Sequence, residues 1–315
     1  MNGIQEVRGS IPLSSKKAQT VGNLFYIADV AKMCVSRKEY HNLILLSVLT
    51  NFQQDSIFDI MSILFSGDFH SNTDRELSLV TKSALIQKYT QAKFDKIKYH
   101  IILGDAGFLW PGNHRTDLFH YKTLAYRPFP VLCVIGNHEP ILGMTNIIED
   151  DIGIGEKVLL VNKEITFVAY LKRGKIYNID GYRFLVLGGA LSIDKEYRIV
   201  NRSWWEQEYW SEKEKIDLFK LLKTNNEFDY VLTHTGPNRV NQIIANPKDA
   251  INNRDKFFDE VAALNETIDG QIKCKQWFCG HWHEDFYYYD ENMNRGYQYL
   301  YRQTALLSED KIVVL

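Results

Sequence analysis

From Met61 onward, short apolar runs alternate with amphipathic stretches along the chain. Runs of four or five apolar residues between polar loops are typical of buried strands, whereas apolar positions three and four apart indicate helices. The pattern predicts strands at 62–65, 99–103 and 131–135, with helices at 75–93 and about 115–126. Because these strands and helices alternate, the first half of this region is expected to form an α/β fold with parallel strands.

The second half of the chain is predicted to be richer in strands. Turns are expected at 172–175 and at Asp180-Gly181, where glycine and polar residues interrupt the apolar pattern. One charged helix is predicted at about 211–224, with its charges on a solvated face. The remaining strands are predicted at 158–161, 165–170, 183–187, 230–232 and 276–279, then within 286–302 and at 311–315.

Residues 1–60 differ from the rest of the chain. Residues 3–20 are rich in Ser, Lys and Gly without periodicity, and the next forty residues show only a weak helical pattern. We therefore expect an amino-terminal extension over 1–60 and one mixed α/β domain over 61–315. The extension is expected to be dispensable, with a natural start at Met61 directly before the first strand. The alternative is an amino-terminal helix that packs on the domain.

Composition and charge exclude several broad classes of protein. Hydrophobic residues make up 45% of the chain and charged residues 24%, which is typical of folded proteins. The net charge of −2 gives no strong nucleic-acid signal. The apolar runs are too short to cross a membrane, and no signal peptide is recognisable. The four cysteines include no C-x-x-C pair, so reduced thiols and a cytoplasmic location are expected.

Polar side chains that can bind metals follow five of the predicted strands. Glycine directly precedes the first polar residue of the group in four of these five loops, which permits sharp turns and close approach to a ligand. Because ligands of open α/β sheets bind at the carboxyl ends of strands, the five loops are expected to meet in one crevice. The candidate residues are Asp68 and His70, then Asp105, then Asn137, His138 and Glu139, then His234, and finally His281 and His283.

The types of side chain in this set indicate the kind of metal. Carboxylate, carboxamide and imidazole groups without thiolate suit divalent ions such as Mn²⁺, Fe²⁺ or Zn²⁺. Two Asp, one Asn and four His are too many ligands for one tetrahedral ion. They suit two ions roughly 3.5–4 Å apart that share one carboxylate.

The ordered set D-x-H, G-D, G-N-H-[DE], H and G-H-x-H resembles the signature of the calcineurin-like metallophosphoesterases, over about 61–315. The resemblance implies an α/β fold, a β-sandwich of two mixed sheets flanked by helices in four layers (α/β/β/α). It also implies a role for each matching residue. Asp68, His70 and His283 would bind the first metal, Asp105 would bridge both metals, Asn137, His234 and His281 would bind the second, His138 would be the catalytic histidine, and Glu139 would orient it.

The resemblance further implies a reaction. The site would hold two divalent ions, with Mn²⁺ favoured over Fe²⁺ and Zn²⁺. A hydroxide that bridges these ions would attack a phosphomonoester or phosphodiester. His138 would assist departure of the leaving group by supplying a proton or a hydrogen bond. The expected substrate is a small phosphate ester.

Two other functions remain open within the same fold. A nuclease of this family would need a basic track, and the overall charge gives none. A non-catalytic scaffold would typically lose the catalytic histidine or some ligands, but all of these positions are present here. A Ser/Thr protein phosphatase is disfavoured, since 104–110 lacks the Asp and Arg of its G-D-x-x-D-R-G motif.

The segment 188–205 is the candidate specificity loop. Together with Trp204-Trp205, its 188–198 part is similar to a subgroup of small bacterial and phage metallophosphoesterases. Arg198 is expected to bind substrate phosphate, and Trp204 and Trp205 are expected to stack on a base or sugar. The alternative is that both tryptophans are packing residues and the charges are solvated.

Overall fold

The computed structural model describes residues 63–70, 91–109, 129–144, 147–161, 168–244, 259–308 and 310–314. The predicted extension at 1–60 and the predicted helix at 115–126 lie outside these residues, as does most of the predicted helix at 75–93.

Two mixed sheets form the body of the described part of the chain. The larger has eight strands in the order β14-β13-β1-β2-β3-β6-β5-β4, and the smaller has six in the order β11-β12-β10-β9-β8-β7. The strands are β1 (Ile63–Ser66), β2 (Tyr99–Ile102), β3 (Val131–Cys133), β4 (Ile148–Asp150), β5 (Val158–Leu160), β6 (Val168–Tyr170), β7 (Lys175–Ile179), β8 (Tyr182–Val186), β9 (Tyr230–Leu232), β10 (Gln276–Cys279), β11 (Phe286–Asp290), β12 (Arg295–Tyr299), β13 (Thr304–Ser308) and β14 (Lys311–Val314).

Parallel strands occupy the middle of both sheets. In the larger sheet, β1, β2, β3 and β6 are parallel neighbours, and antiparallel strands flank them on both sides. In the smaller sheet, β8, β9, β10 and β12 are parallel, with β7 and β11 antiparallel at the edges. Neighbouring parallel strands end at the same edge of a sheet, so the loops that follow them lie close together at that edge.

The two sheets pack face to face through a shared apolar core. Phe65 of β1 stacks on Phe278 of β10, with ring centroids 4.1 Å apart and planes within 9°. Leu132 of the larger sheet and Leu232 of the smaller belong to the same buried cluster. Alternate residues of each strand face this core, as the two-residue period of a strand requires.

Helices cover the outer faces of both sheets. On the smaller sheet, Leu218, Val240 and Val261 of three helices pack in one cluster with strand residues such as Trp277. On the larger sheet, Phe94 packs with Leu64 and Leu306. The α-helices of the described residues are α1 (Gln91–Phe94), α2 (Glu212–Leu222), α3 (Asn238–Ile244) and α4 (Glu260–Asp269). The predicted α/β sandwich of two mixed sheets with flanking helices is confirmed.

Most strand and turn predictions agree with the structure to within one or two residues, but the sequence pattern does not predict α4. Asn265 lies on the buried face of α4, where its Nδ2 donates to Thr233 Oγ1 and to the Thr235 carbonyl. A polar residue on the buried face weakens the apolar periodicity by which helices are recognised.

Within the described ranges, none of the helices is long and apolar enough to span a bilayer.

Replacement of Phe278 by alanine tests the packing of the two sheets. Phe278→Ala should lower the free energy of unfolding by about 3–5 kcal/mol, because it opens a cavity between the sheets. The measurement is denaturant unfolding, with Ile193→Ala as control, since Ile193 is 88% exposed and should change the value by less than about 0.5 kcal/mol. Equal effects of both substitutions would contradict this packing.

Candidate metal centre

Five loops converge where strands of both sheets end. Asp68 and His70 follow β1, Asp105 follows β2, and Asn137 and His138 follow β3 of the larger sheet. The other two loops leave the smaller sheet, with His234 after β9 and His281 and His283 after β10. The site therefore lies at the carboxyl ends of central strands from both layers.

Asp105 lies at the centre of the cluster. Its Oδ2 atom is 3.2 Å from Nε2 of His234, 3.6 Å from Nε2 of His138 and 3.7 Å from Nε2 of His70. Its Oδ1 atom accepts a hydrogen bond of 2.9 Å from the backbone N–H of His138. One oxygen thus ties two loops together, and the other faces imidazoles from three loops.

Asp68 is arranged in the same way. Its Oδ1 atom accepts from the backbone N–H of His281 at 3.0 Å. Its Oδ2 atom is buried without a hydrogen-bond partner, 3.3 Å from Nε2 of His283 and 3.9 Å from Nε2 of His70. These two imidazole nitrogens are themselves 2.8 Å apart. Asp68, His70 and His283, which the sequence resemblance assigns to the first metal, therefore lie together.

The residues predicted for the second metal lie deeper in the site. His234 is buried and donates from Nδ1 to the carbonyl of Leu103 at 2.7 Å, which turns Nε2 toward Asp105. Asn137 Oδ1 lies 3.0 Å from His234 Nε2. The His281 ring packs against that of His234, with centroids 5.0 Å apart.

These side chains fit divalent cations. Ligand atoms within 4.8 Å of one another form three groups: Asp68, His70 and His283; His70, Asp105 and His138; and Asp68, Asp105 and His234. A buried carboxylate oxygen without a partner is costly unless a cation or a hydrogen bond satisfies it. The oxygen and imidazole donors match the preference of borderline divalent metals. His138 belongs to one group although the sequence predicts a catalytic role for it.

Burial lowers the pKa values of two of the predicted imidazole ligands, His70 and His281. Burial lowers the pKa of His70 despite the opposing charges of Asp105 and Asp68. Burial, reinforced by His234, lowers the pKa of His281 to about 3. Both rings are thus neutral near pH 7, and neutral imidazole is the form that binds metal.

Asp105 and His234 form a buried ion pair at the centre. Burial alone would raise the pKa of Asp105, but His234 and then His138 hold it below its ordinary value. Burial alone would lower the pKa of His234, but Asp105 and Asp68 raise it to about 10. A cation bound by His234 would replace that proton and keep the carboxylates compensated.

The backbone of the site is constrained to unusual conformations. Asp105, His70, His281 and His283 have φ values of 47°, 49°, 69° and 52°, in the left-handed region that few residues other than glycine adopt. A Cβ on Gly136 would lie 2.1 Å from Oδ1 of Asp105. The loops that carry Asp105 and Asn137 therefore approach so closely that only glycine fits at position 136.

Glu139 binds backbone amides of the neighbouring loops. Its carboxylate accepts from the N–H groups of Asp105 at 3.1 Å, Gly107 at 3.4 Å and Gly136 at 2.7 Å. Burial and the charge of Asp105 raise the pKa of Glu139 to about 8. These bonds hold the Asp105 loop against the Asn137 loop, and the predicted orientation of His138 by Glu139 stays a prediction.

The 188–205 loop reaches the site through Arg198. Its Nη1 atom lies 2.7 Å from Nδ1 of His138, and its Nε donates to Asp194 Oδ1 at 2.5 Å. Trp204 and Trp205 are only 7% and 5% exposed, so their rings pack within the protein. Their predicted role in substrate stacking stays a prediction that this burial does not favour.

Two contacts with the predicted ligands, and one contact behind them, involve residues that the sequence motifs do not single out. Ser192 bonds Asn137, Glu208 bonds Ser192, and the ring of Tyr301 stacks on His283 with centroids 4.7 Å apart. Ser192 lies inside the recognised 188–198 segment, but no motif marks Glu208 or Tyr301.

Comparisons with known proteins identify a family. The family model described as calcineurin-like phosphoesterase matches residues 61–285. No curated protein sequence matches the chain.

Among solved structures, a putative 5'-nucleotidase from Staphylococcus aureus in complex with alpha-ketoglutarate is 15% identical, with a TM-score of 0.34 over 79% of this chain and 42% of that one. The Haemophilus influenzae NAD nucleotidase NadN is 13% identical, with a TM-score of 0.33 over 80% of this chain and 48% of that one. This chain spans less than half of either protein. A third solved chain is 11% identical, with a TM-score of 0.47 over 80% of this chain and 97% of its own length.

The family model covers the described strands from β1 through β10 and all the predicted ligands in the five loops. The chain belongs to the calcineurin-like phosphoesterase family and is a metal-dependent phosphoester hydrolase.

Proposed function

We propose that the chain hydrolyses a small phosphomonoester or phosphodiester with the help of two divalent metal ions. The observation that carries this proposal is the position of Asp105 Oδ2, within 3.7 Å of imidazole nitrogens of His70, His138 and His234. Asp105 belongs to two of the three ligand groups, as Asp68 and His70 do, so a carboxylate in this central position can serve two ions. When bound, such ions lower the pKa of water and neutralise the charge of the phosphoryl group.

His138 is proposed to assist the leaving group. Its backbone N–H is fixed on Asp105 Oδ1, and its side chain is 13% exposed at the rim of the site. From there its imidazole can donate a hydrogen bond or proton to the departing oxygen.

Arg198 is proposed to bind the phosphate of the substrate. Its guanidinium group lies against His138, and the carboxylate of Asp194 and the carbonyl of Ser203 hold it there. A guanidinium group has several N–H donors that match phosphate oxygens. Its position supports an anionic substrate that enters beside His138.

The identity of the metal and the location of the protein are further parts of this proposal. Mn²⁺ is favoured because the ligands combine carboxylate and carboxamide oxygens with imidazole. A cytoplasmic location is supported by Cys133, Cys274 and Cys279, the cysteines of the described residues, which are buried and not joined in disulfides.

The first test replaces the shared carboxylate. Asp105→Asn should lower the affinity for Mn²⁺ at least about a hundredfold and abolish hydrolysis, because the variant loses the negative charge between the ions. Elemental analysis and a panel of nucleotides, cyclic nucleotides, aryl phosphates and single-stranded DNA measure both effects. Activity confined to single-stranded DNA would favour the nuclease, and metal-loaded wild-type protein without activity on any substrate would favour the scaffold.

The second test separates His138 from the ligands. His138→Ala should keep both ions but lose about 10²–10⁴ in kcat on substrates with poor leaving groups. A substrate with a good leaving group, such as an activated aryl phosphate, should suffer much less. Near-normal rates with poor leaving groups would contradict the proposed role, and loss of metal would make His138 a ligand.

The third test concerns Arg198. Arg198→Ala should lower kcat/KM on the preferred substrate about 10–100-fold, as expected for loss of charged hydrogen bonds, without loss of metal or folding. A small aryl phosphate should be hydrolysed nearly as before. The matched control is Arg202→Ala, since Arg202 is an exposed arginine of the same loop. Equal losses on both substrates, or an equal effect of Arg202→Ala, would contradict substrate binding by Arg198.

A further inference from the structure

A chain of buried hydrogen bonds lies behind Asn137. The Nδ2 group of Asn137 donates to Oγ of Ser192 at 2.9 Å. The Ser192 hydroxyl donates to Oε1 of Glu208 at 2.7 Å, and its backbone N–H donates to Oε2 at 2.9 Å. Asn137, Ser192 and Glu208 are only 3%, 8% and 3% exposed, so solvent has little access to these bonds.

This series of hydrogen bonds has one direction when Glu208 is ionised. An ionised carboxylate only accepts hydrogen bonds, so Glu208 takes both the hydroxyl and the amide hydrogens of Ser192. The lone pairs of the Ser192 oxygen then remain for Asn137, and only the NH₂ end of a carboxamide can donate to them. The oxygen end of Asn137 must consequently point the other way, where it lies 3.0 Å from His234 Nε2.

The direction matters because the two ends of a carboxamide are nearly alike in shape. Only the oxygen binds a divalent cation, and an NH₂ group in its place would be repelled. The hydrogen-bond polarity of Ser192 therefore selects which end of the Asn137 carboxamide faces His234.

The base of the loop that carries Ser192 is anchored to its surroundings. The backbone N–H of Gly189 donates to Ile135 at 2.6 Å, and its carbonyl accepts from Thr235 at 3.3 Å. The N–H of Leu191 donates to Asp259 Oδ2 at 3.2 Å. Ser192 is therefore held in place relative to the strands that carry Asn137 and His234.

We propose that Ser192 and Glu208 are positioning residues of the metal centre, which hold the Asn137 carboxamide with its oxygen toward the cation bound by Asn137 and His234. The inference rests on the proposed two-metal function. Glu208 acts two hydrogen bonds away from the ligand and touches neither substrate nor metal.

The test compares Glu208→Gln with Glu206→Gln. Glu206 belongs to the same 3-10 helix, Glu206–Glu208, but is exposed. A glutamine at 208 has one oxygen in place of the two that accept from Ser192, and its NH₂ group can donate to Ser192 Oγ. The serine hydroxyl can then donate to Asn137 and turn the carboxamide around. Ser192→Ala removes the acceptor altogether.

The readout is the binding of Mn²⁺ to metal-free protein, measured by titration calorimetry at pH 8. Burial raises the pKa of Glu208 to about 7, so the carboxyl group is mostly ionised at this pH. The wild-type protein and Glu206→Gln should each bind two ions, and each ion should bind to both proteins with the same affinity. Glu208→Gln and Ser192→Ala should lose about 10–100-fold in the affinity for one ion and little for the other, the usual effect of removing such a supporting contact.

Repeating the measurement in an Asn137→Asp background shows whether Glu208 orients the side chain at 137 or only stabilises the surrounding structure. A carboxylate has oxygen at both ends, so its orientation does not need to be chosen, and Glu208→Gln should cause no further loss of affinity there. A merely structural role of Glu208 would persist in this background and would overturn the proposal. Equal weakening of both ions, or wild-type binding by Glu208→Gln, would also overturn it. A wild-type protein that binds only one ion would overturn the two-metal function and this inference with it.

Discussion

The arrangement of the site depends on buried carboxylates that accept backbone amides from neighbouring loops. Asp68 uses one oxygen for the amide of His281, and Asp105 uses one for the amide of His138. Each bond joins two loops, and in the case of Asp68 it joins a loop of the larger sheet to a loop of the smaller one. Because one oxygen is engaged in this way, the other is presented to the imidazoles. The contacts that hold the loops together therefore also orient the predicted metal ligands.

This dual use of the carboxylates explains the strain of the backbone around them. His70, Asp105, His281 and His283 have left-handed conformations that cost about 1–3 kcal/mol each unless the surroundings compensate. Asp and His tolerate this region better than bulky or β-branched residues do. At each of these four positions, the residue that forms the backbone turn thus also carries a predicted metal ligand. A Cβ on Gly280 would lie 2.4 Å from Oδ1 of Asp68, so the close approach also requires glycine beside the ligand.

The sequence predicts those parts of the molecule that follow from local patterns. Apolar runs locate β1, β2, β9 and β10 to within a residue, since buried strands need continuous apolar sequence. The five loops and their ligand types are also readable, because each motif is short and contiguous. The predicted ligand positions accordingly come together in space, with Asp105 at the centre.

The rest could not be predicted, because it depends on contacts between distant segments. Trp204 and Trp205 have the composition of a stacking surface, but only the fold shows that their rings are buried. Helix α4 is obscured by Asn265, whose burial is explained by Thr233 and Thr235 some thirty residues away. Glu208 reaches Asn137 through Ser192 across 71 positions of sequence, made up of separations of 55 and 16.

Among the residues that the structure describes, four buried carboxyl groups surround the site, and this number has a consequence for stability. Asp68, Asp105, Glu139 and Glu208 are each at most 4% exposed, and burial together with the charge of Asp105 raises the cost of ionising Glu139. Imidazolium at His234 compensates the charge of Asp105, and the backbone amides of Gly136 and Ser192 donate to Glu139 and Glu208. Cations bound between Asp68 and Asp105 would replace that single proton with a larger positive charge. A cation that binds the folded chain more tightly than the unfolded one would therefore also stabilise the fold.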